Sequence, residues 1–125
     1  MLIDVAYVLT GIIGAFGVFL GLNAFRTPRA AAGFGIPDTP TGDPTFRAWL
    51  SVKAVRDIAA GVFTFVVLAG GTPHLIGWFV VAAAGIPVGD ALVVWRSNGP
   101  KRAVFGIHGA TAAAMLAVAV LLFVG

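Results

Sequence analysis

Five side chains carry most of the chemistry open to this sequence. Lys53, Arg56 and Asp57 crowd into about one helical turn, and Asp90 and His108 follow at a distance. Carboxylates give and take protons, a histidine changes charge near neutral pH, and Lys or Arg stabilises developing negative charge. All five lie in otherwise apolar stretches. Ionisable groups inside membrane spans are costly and face protein or water, so the set is a functional candidate. Simpler roles exist for each. Lys53 and Asp57, at i and i+4, suit a structural pair. Asp90 suits a helix cap or a pair with Arg56, and His108 suits hydrogen-bonded packing. Asn23, Thr64, Thr111 and Met115 are added as candidate binding residues around the set. A metal site is not expected, because the chain has no Cys, no Glu and no His pair at i, i+4.

The elements that must hold these groups follow from composition. Of the 125 residues, 59% are hydrophobic and 10% charged, against about 25% charged in a soluble domain. Mean hydropathy is +1.01. These values exclude a soluble monomer, a disordered chain and a disulfide scaffold. They predict one all-α domain, a bundle of four transmembrane helices at about 3–25, 44–69, 73–95 and 100–124. Asp43-Pro44, Thr72-Pro73 and Gly99-Pro100 mark helix starts, each with a plausible N-cap before a first-turn proline. Thr27-Pro28 opens a short interfacial helix over 28–34, within an interfacial segment 28–42. Pro87 predicts a kink one turn before Asp90. No secretory signal is expected, since the N-terminus lacks a basic start and a cleavage site.

The cations predict orientation. One connection carries Arg26, Arg29 and Arg47, another Arg96, Lys101 and Arg102, and the termini and Gly70-Gly71-Thr72 carry none. The positive-inside rule then places a multi-pass protein in the cell membrane, with basic loops cytoplasmic and both termini outside. Trp49 and Trp95 fall toward the inner interface and Trp78 toward the outer one. The pI of 10.2 thus reflects topology, and no nucleic-acid partner is expected. At 1.5 Å per residue, the five ionisable groups reach one layer roughly 5–15 Å deep in the cytoplasmic half. Lys53, Asp57, Ala60 and Thr64 share one face of the second span, opposite Val55, Ile58, Val62 and Val66. Asp90 aligns with Phe79, Ala83, Ile86 and Val94, and His108 with Lys101, Thr111, Ala112 and Met115. The expected result is a cavity with a polar mouth and an apolar depth. It would suit an amphipathic, anionic small molecule, because cations crowd two helix N-termini that already favour anions. Anionic lipid headgroups are the rival explanation for those cations. Gly14, Gly17, Gly21, Gly77, Gly85, Gly89, Gly106 and Gly109 predict close helix packing within the chain, with a homodimer seam as the alternative.

The order Lys53-x-x-Arg56-Asp57-x-x-x-Gly61, Pro87-x-Gly89-Asp90 and His108-Gly109 resembles a family of small four-span membrane proteins of bacteria and fungi. That family is classed as a domain of unknown function. The resemblance implies the same architecture and brings no activity with it. From the residues, the leading expectation is a cofactor-independent enzyme moving protons on a lipophilic molecule: an isomerase, cyclase or epoxide-opening enzyme. Asp57 and Asp90 would be acid and base, His108 a relay, and Lys53 with Arg56 the stabilising cations. The alternatives are a small transporter or channel subunit using the buried carboxylates, and a structural or assembly protein locked by ion pairs.

Overall fold

The computed structural model describes all 125 residues, and no strand is present. Helix α1 spans Leu2–Arg26, α2 Pro44–Gly70 and α3 Pro73–Arg96. Helix α4, Lys101–Val124, is continuous. Its segment Val104–Gly109 winds as a π-helix between α-helical turns. A 3₁₀ strap, Pro28–Phe34, joins α1 to the loop before α2.

The starts follow local chemistry. Asp43 Oδ2 accepts the Phe46 N–H at 2.8 Å, and Thr72 Oγ1 accepts the Leu75 N–H at 3.3 Å. Each satisfies a donor that the first turn leaves unpaired. Proline occupies the first turn in both helices. At the last start the order differs from expectation. Pro100 is itself the cap residue, and no side chain caps that end. Pro87 is buried, and α3 runs unbroken through it.

Three helices, α1, α3 and α4, are long and apolar enough to cross a membrane. The expected fourth span, α2, is 27 residues long but falls outside that class. Arg47, Lys53, Arg56 and Asp57 lower the hydropathy of its first half. The exterior fits an apolar solvent. Only 21 of 125 residues are buried, while Ile12, Phe16, Phe19, Val66, Leu92 and Val120 all lie exposed. A water-soluble monomer does not sustain so much apolar surface. The exposed tryptophans lie toward the two ends of the molecule. Trp78 lies near the chain termini, against Phe123, while Trp95 packs on Phe105 at the end carrying the basic connections.

The helices pair antiparallel, α1 with α2 and α3 with α4. Small residues bring the first pair close. A Cβ on Gly61 would stand 2.5 Å from the Gly14 carbonyl oxygen and 2.7 Å from Val18 Cγ2, and one on Gly21 would stand 2.5 Å from the Ala54 oxygen. Gly17 meets Asp57 and Gly61 in the same seam. These glycines are therefore spent on packing inside the chain. Gly77 similarly accommodates the Phe123 ring, whereas Gly85, Gly89 and Gly106 meet nothing within 4 Å.

The core is asymmetric along the bundle. Its main cluster joins Ala6 of α1 to Ile76, Val80 and Ala84 of α3 and to Met115, Val118, Ala119 and Leu122 of α4. Val67 and Leu68 of α2 pack against it, so every long helix contributes. Toward the basic end the only other cluster is Val94, Ala103 and Val104, joined by Phe34 and Ala91. That cluster draws on α3, α4 and the strap alone. The apolar core that unites the helix pairs thus stops short of the basic end, and ionisable side chains lie between them there.

Candidate functional site

Four of the five predicted ionisable residues come together at this end. Lys53 Nζ donates to Asp57 Oδ2 at 2.7 Å within α2. Asp90, on α3, has Lys53, His108 and Asp57 as the ionisable groups acting on it. It is partly buried and makes no ion pair or hydrogen bond through its carboxylate. His108, on α4, is buried at 7% exposure. Its Nε2 lies 2.7 Å from the Phe34 carbonyl oxygen. A carbonyl only accepts, so Nε2 carries a hydrogen toward it, while Nδ1 makes no hydrogen bond to the protein. No buried side-chain nitrogen or oxygen lacks a partner, so the unbonded Nδ1 faces accessible space.

Arg56 is not part of the cluster. It is exposed, and its Nη1 turns back one helical turn toward the Val52 carbonyl at 3.4 Å. A long cationic side chain on an apolar helix reaches for the polar end in this way. The pair between Asp90 and Arg56, one of the simpler roles open to Asp90, does not form.

The four candidate binding residues lie in other settings. Thr64 is buried against Gly14 in the α1–α2 seam, with its hydroxyl on the Ala60 carbonyl at 2.8 Å. Met115 is part of the main apolar core. Thr111 is partly buried and bonds back to the Ile107 carbonyl at 2.7 Å. Asn23 sits near the end of α1, where its backbone oxygen accepts from Thr27. The expected apolar depth of the cavity is filled by packed side chains such as Met115. Two open concavities at the same end of the molecule are lined by other residues, one around Arg26, Arg29 and Arg47 and one around Trp95, Lys101 and Phe105.

Sequence reasoning missed Phe34. Its ring packs on His108 with centroids 4.3 Å apart, and Lys53 Nζ stands 5.3 Å from its centroid. A cation over an aromatic face is attractive. One residue of the strap therefore lies against two members of the cluster. Gly35 makes this placement possible. It closes the strap in a left-handed conformation, φ 113°, and a Cβ there would stand 2.7 Å from that of Ala103. Glycine is the residue for such a position. The available signal was the glycine after a short proline-led helix, although its partners in space were not legible.

The π segment was missed as well. Val104 and His108 of this segment are buried, and Ala112 and Met115 continue the buried side in the α-helical turns that follow. Such segments are rare and occur disproportionately at functional sites. Gly106 and Gly109 around His108 were its only local hint.

A family model described as a domain of unknown function, DUF4267, matches residues 14–122. The chain belongs to the DUF4267 family. The DUF4267 match takes in Phe34, Lys53, Asp57, Asp90 and His108 together. It also includes the glycines of the α1–α2 seam. No curated protein and no solved structure matches the chain.

Proposed function

We propose that α2 is a fourth span, that the basic end lies in the cytoplasm and that both termini lie outside. The length of α2, its close packing along α1, the basic connections at one end and the tryptophans toward both ends support this reading. Within that frame the chain is a membrane-embedded, cofactor-independent acid–base enzyme. Its substrate is a lipophilic small molecule with a polar or anionic head. The reaction is a proton transfer, as in isomerisation, cyclisation or epoxide opening.

The observation that carries this reading is the unpaired Asp90 carboxylate, beside a histidine whose orientation is fixed. Asp57 already has Lys53 as its partner, which suits a structural or electrostatic role. Asp90 has none and is free to exchange a proton with a ligand. His108 is held by the Phe34 carbonyl, so its Nδ1 is the nitrogen that takes up or relays that proton. Lys53 lies over the Phe34 ring and next to Asp57, where its charge can meet an anionic head. A ligand enters by turning the Phe34 ring aside while its carbonyl stays on His108, and the ring leaves an apolar place of matching size.

Solvent deuterium tests this reading even while the substrate is unidentified. The protein in lipid nanodiscs is incubated with a lipophilic extract of its host cell in D₂O. A small apolar molecule should gain deuterium at carbon, or a rearranged isomer should appear, beyond what empty nanodiscs give. Absence of both across the extract would contradict enzyme chemistry. Proton-driven flux in vesicles without any such product would assign the same carboxylate to transport.

A further inference from the structure

A second polar site lies apart from the Asp90 cluster. Arg26 ends α1, Arg29 stands in the strap and Arg47 lies in the first turn of α2. With Thr27, Pro28, Thr41 and Gly42 they line an open concavity of about 450 Å³. No carboxylate lines it. The molecule's ion pairs are Met1–Asp4 and Lys53–Asp57, so all three guanidinium groups are unpaired. None of the three donates a side-chain hydrogen bond, and the Thr27 and Thr41 hydroxyls are also uncommitted.

Three like charges facing one concavity repel each other. Arg47 carries a further penalty, because the positive end of the α2 dipole disfavours a cation there. Topology alone asks only that arginines lie on this side of the membrane, and they would satisfy it while pointing apart. Three arginines lining one concavity, with no carboxylate among the lining residues, favour an anion there. Planar guanidinium groups with hydroxyl donors match the oxygens of a phosphate ester, which they bind in bidentate fashion.

The surroundings indicate the source of that phosphate. Within about one turn before Arg26, Leu22 and Phe25 are exposed on α1, and Phe19 continues the apolar surface along the helix. Trp49 follows Arg47 by two residues and is 70% exposed, as an aromatic residue at the headgroup level would be. An acyl chain can thus lie along α1 while its headgroup sits in the concavity. We propose that Arg26, Arg29 and Arg47 form a binding site for the phosphate headgroup of an anionic membrane lipid.

The test compares lipid retention by native mass spectrometry in detergent, with phosphatidylglycerol and phosphatidylcholine as probes. Wild type should retain phosphatidylglycerol in preference. Arg26→Gln with Arg29→Gln and Arg47→Gln should lower that retention at least about tenfold. The control, Arg96→Gln with Lys101→Gln and Arg102→Gln, removes equal charge outside the concavity and should change retention less than about twofold. Circular dichroism and the single variant Arg29→Gln, in the exposed strap, separate binding from folding. Arg29→Gln should fold normally and still weaken retention. Equal losses in the two triple variants, or unchanged retention in Arg29→Gln, would overturn the site. Displacement of the lipid by glycerol phosphate at equal concentration would assign it to a soluble phosphate ester and overturn the lipid source.

Discussion

Asp90→Asn should lower deuterium incorporation by at least about a hundredfold, the usual contribution of a positioned acid or base, while the protein still folds. The substitution keeps shape and removes only the ionisable function. Asp90 has no ion pair whose partner would be stranded, so the fold loses no lock. Asp57 behaves differently. Asp57→Asn alone leaves Lys53 without its partner at 2.7 Å, whereas Lys53→Met with Asp57→Leu removes both charges together. Removing a whole ion pair is often close to neutral for stability, while breaking one side is not. The double variant should therefore fold and keep more activity than Asp90→Asn. Initial rates in D₂O, with thermal unfolding in detergent, check all three. Wild-type rates in Asp90→Asn would remove the proposed catalytic role.

Gly61→Leu should be the most damaging single change to the fold. Its Cβ would stand 2.5 Å from the Gly14 oxygen, 2.7 Å from Val18 Cγ2 and 2.8 Å from the Val18 nitrogen. Two of those atoms are backbone and cannot rotate away, so α1 and α2 must separate. Overpacking of this kind costs about 1–3 kcal/mol, and a leucine driven into a backbone seam belongs at the upper end. Gly85→Leu is the control, because nothing lies within 4 Å of that position. The thermal midpoint in detergent should fall for the first variant and hold for the second. Equal midpoints would mean that the α1–α2 seam does not support the fold.

The helices were legible because their signals are local. Asp43-Pro44 and Thr72-Pro73 start helices within a residue of where the sequence places them, since a cap and a first-turn proline act over three residues. The strap Pro28–Phe34 was legible for the same reason. The gathering of Lys53, Asp57, Asp90 and His108 followed from depth along each helix, which rise per residue fixes. Direction around the helix was harder. Met115 and Thr64 share a nominal face with the polar set, yet they turn into the core and the glycine seam. A wheel at 100° per residue carries no information about which neighbour a face meets. In α4 the π segment also changes the period between Lys101 and Met115. Phe34 could not be found from patterning, because its contact with His108 spans 74 residues. The arginine concavity escaped because Arg26, Arg29 and Arg47 read first as a topology signal, and their convergence is a property of the folded chain.

The proposed function needs Asp90 to be an unpaired carboxyl within reach of a lipophilic molecule, with Asp57 held by Lys53. Labelling with an apolar carbodiimide in nanodiscs, followed by peptide mass spectrometry, tests it directly. The reagent approaches through the membrane and modifies carboxyl groups that no cation occupies. Modification should concentrate on Asp90, with Asp57 protected until Lys53→Met releases it. An unmodified Asp90, or Asp57 labelled as fully as Asp90 in the wild type, would contradict the account.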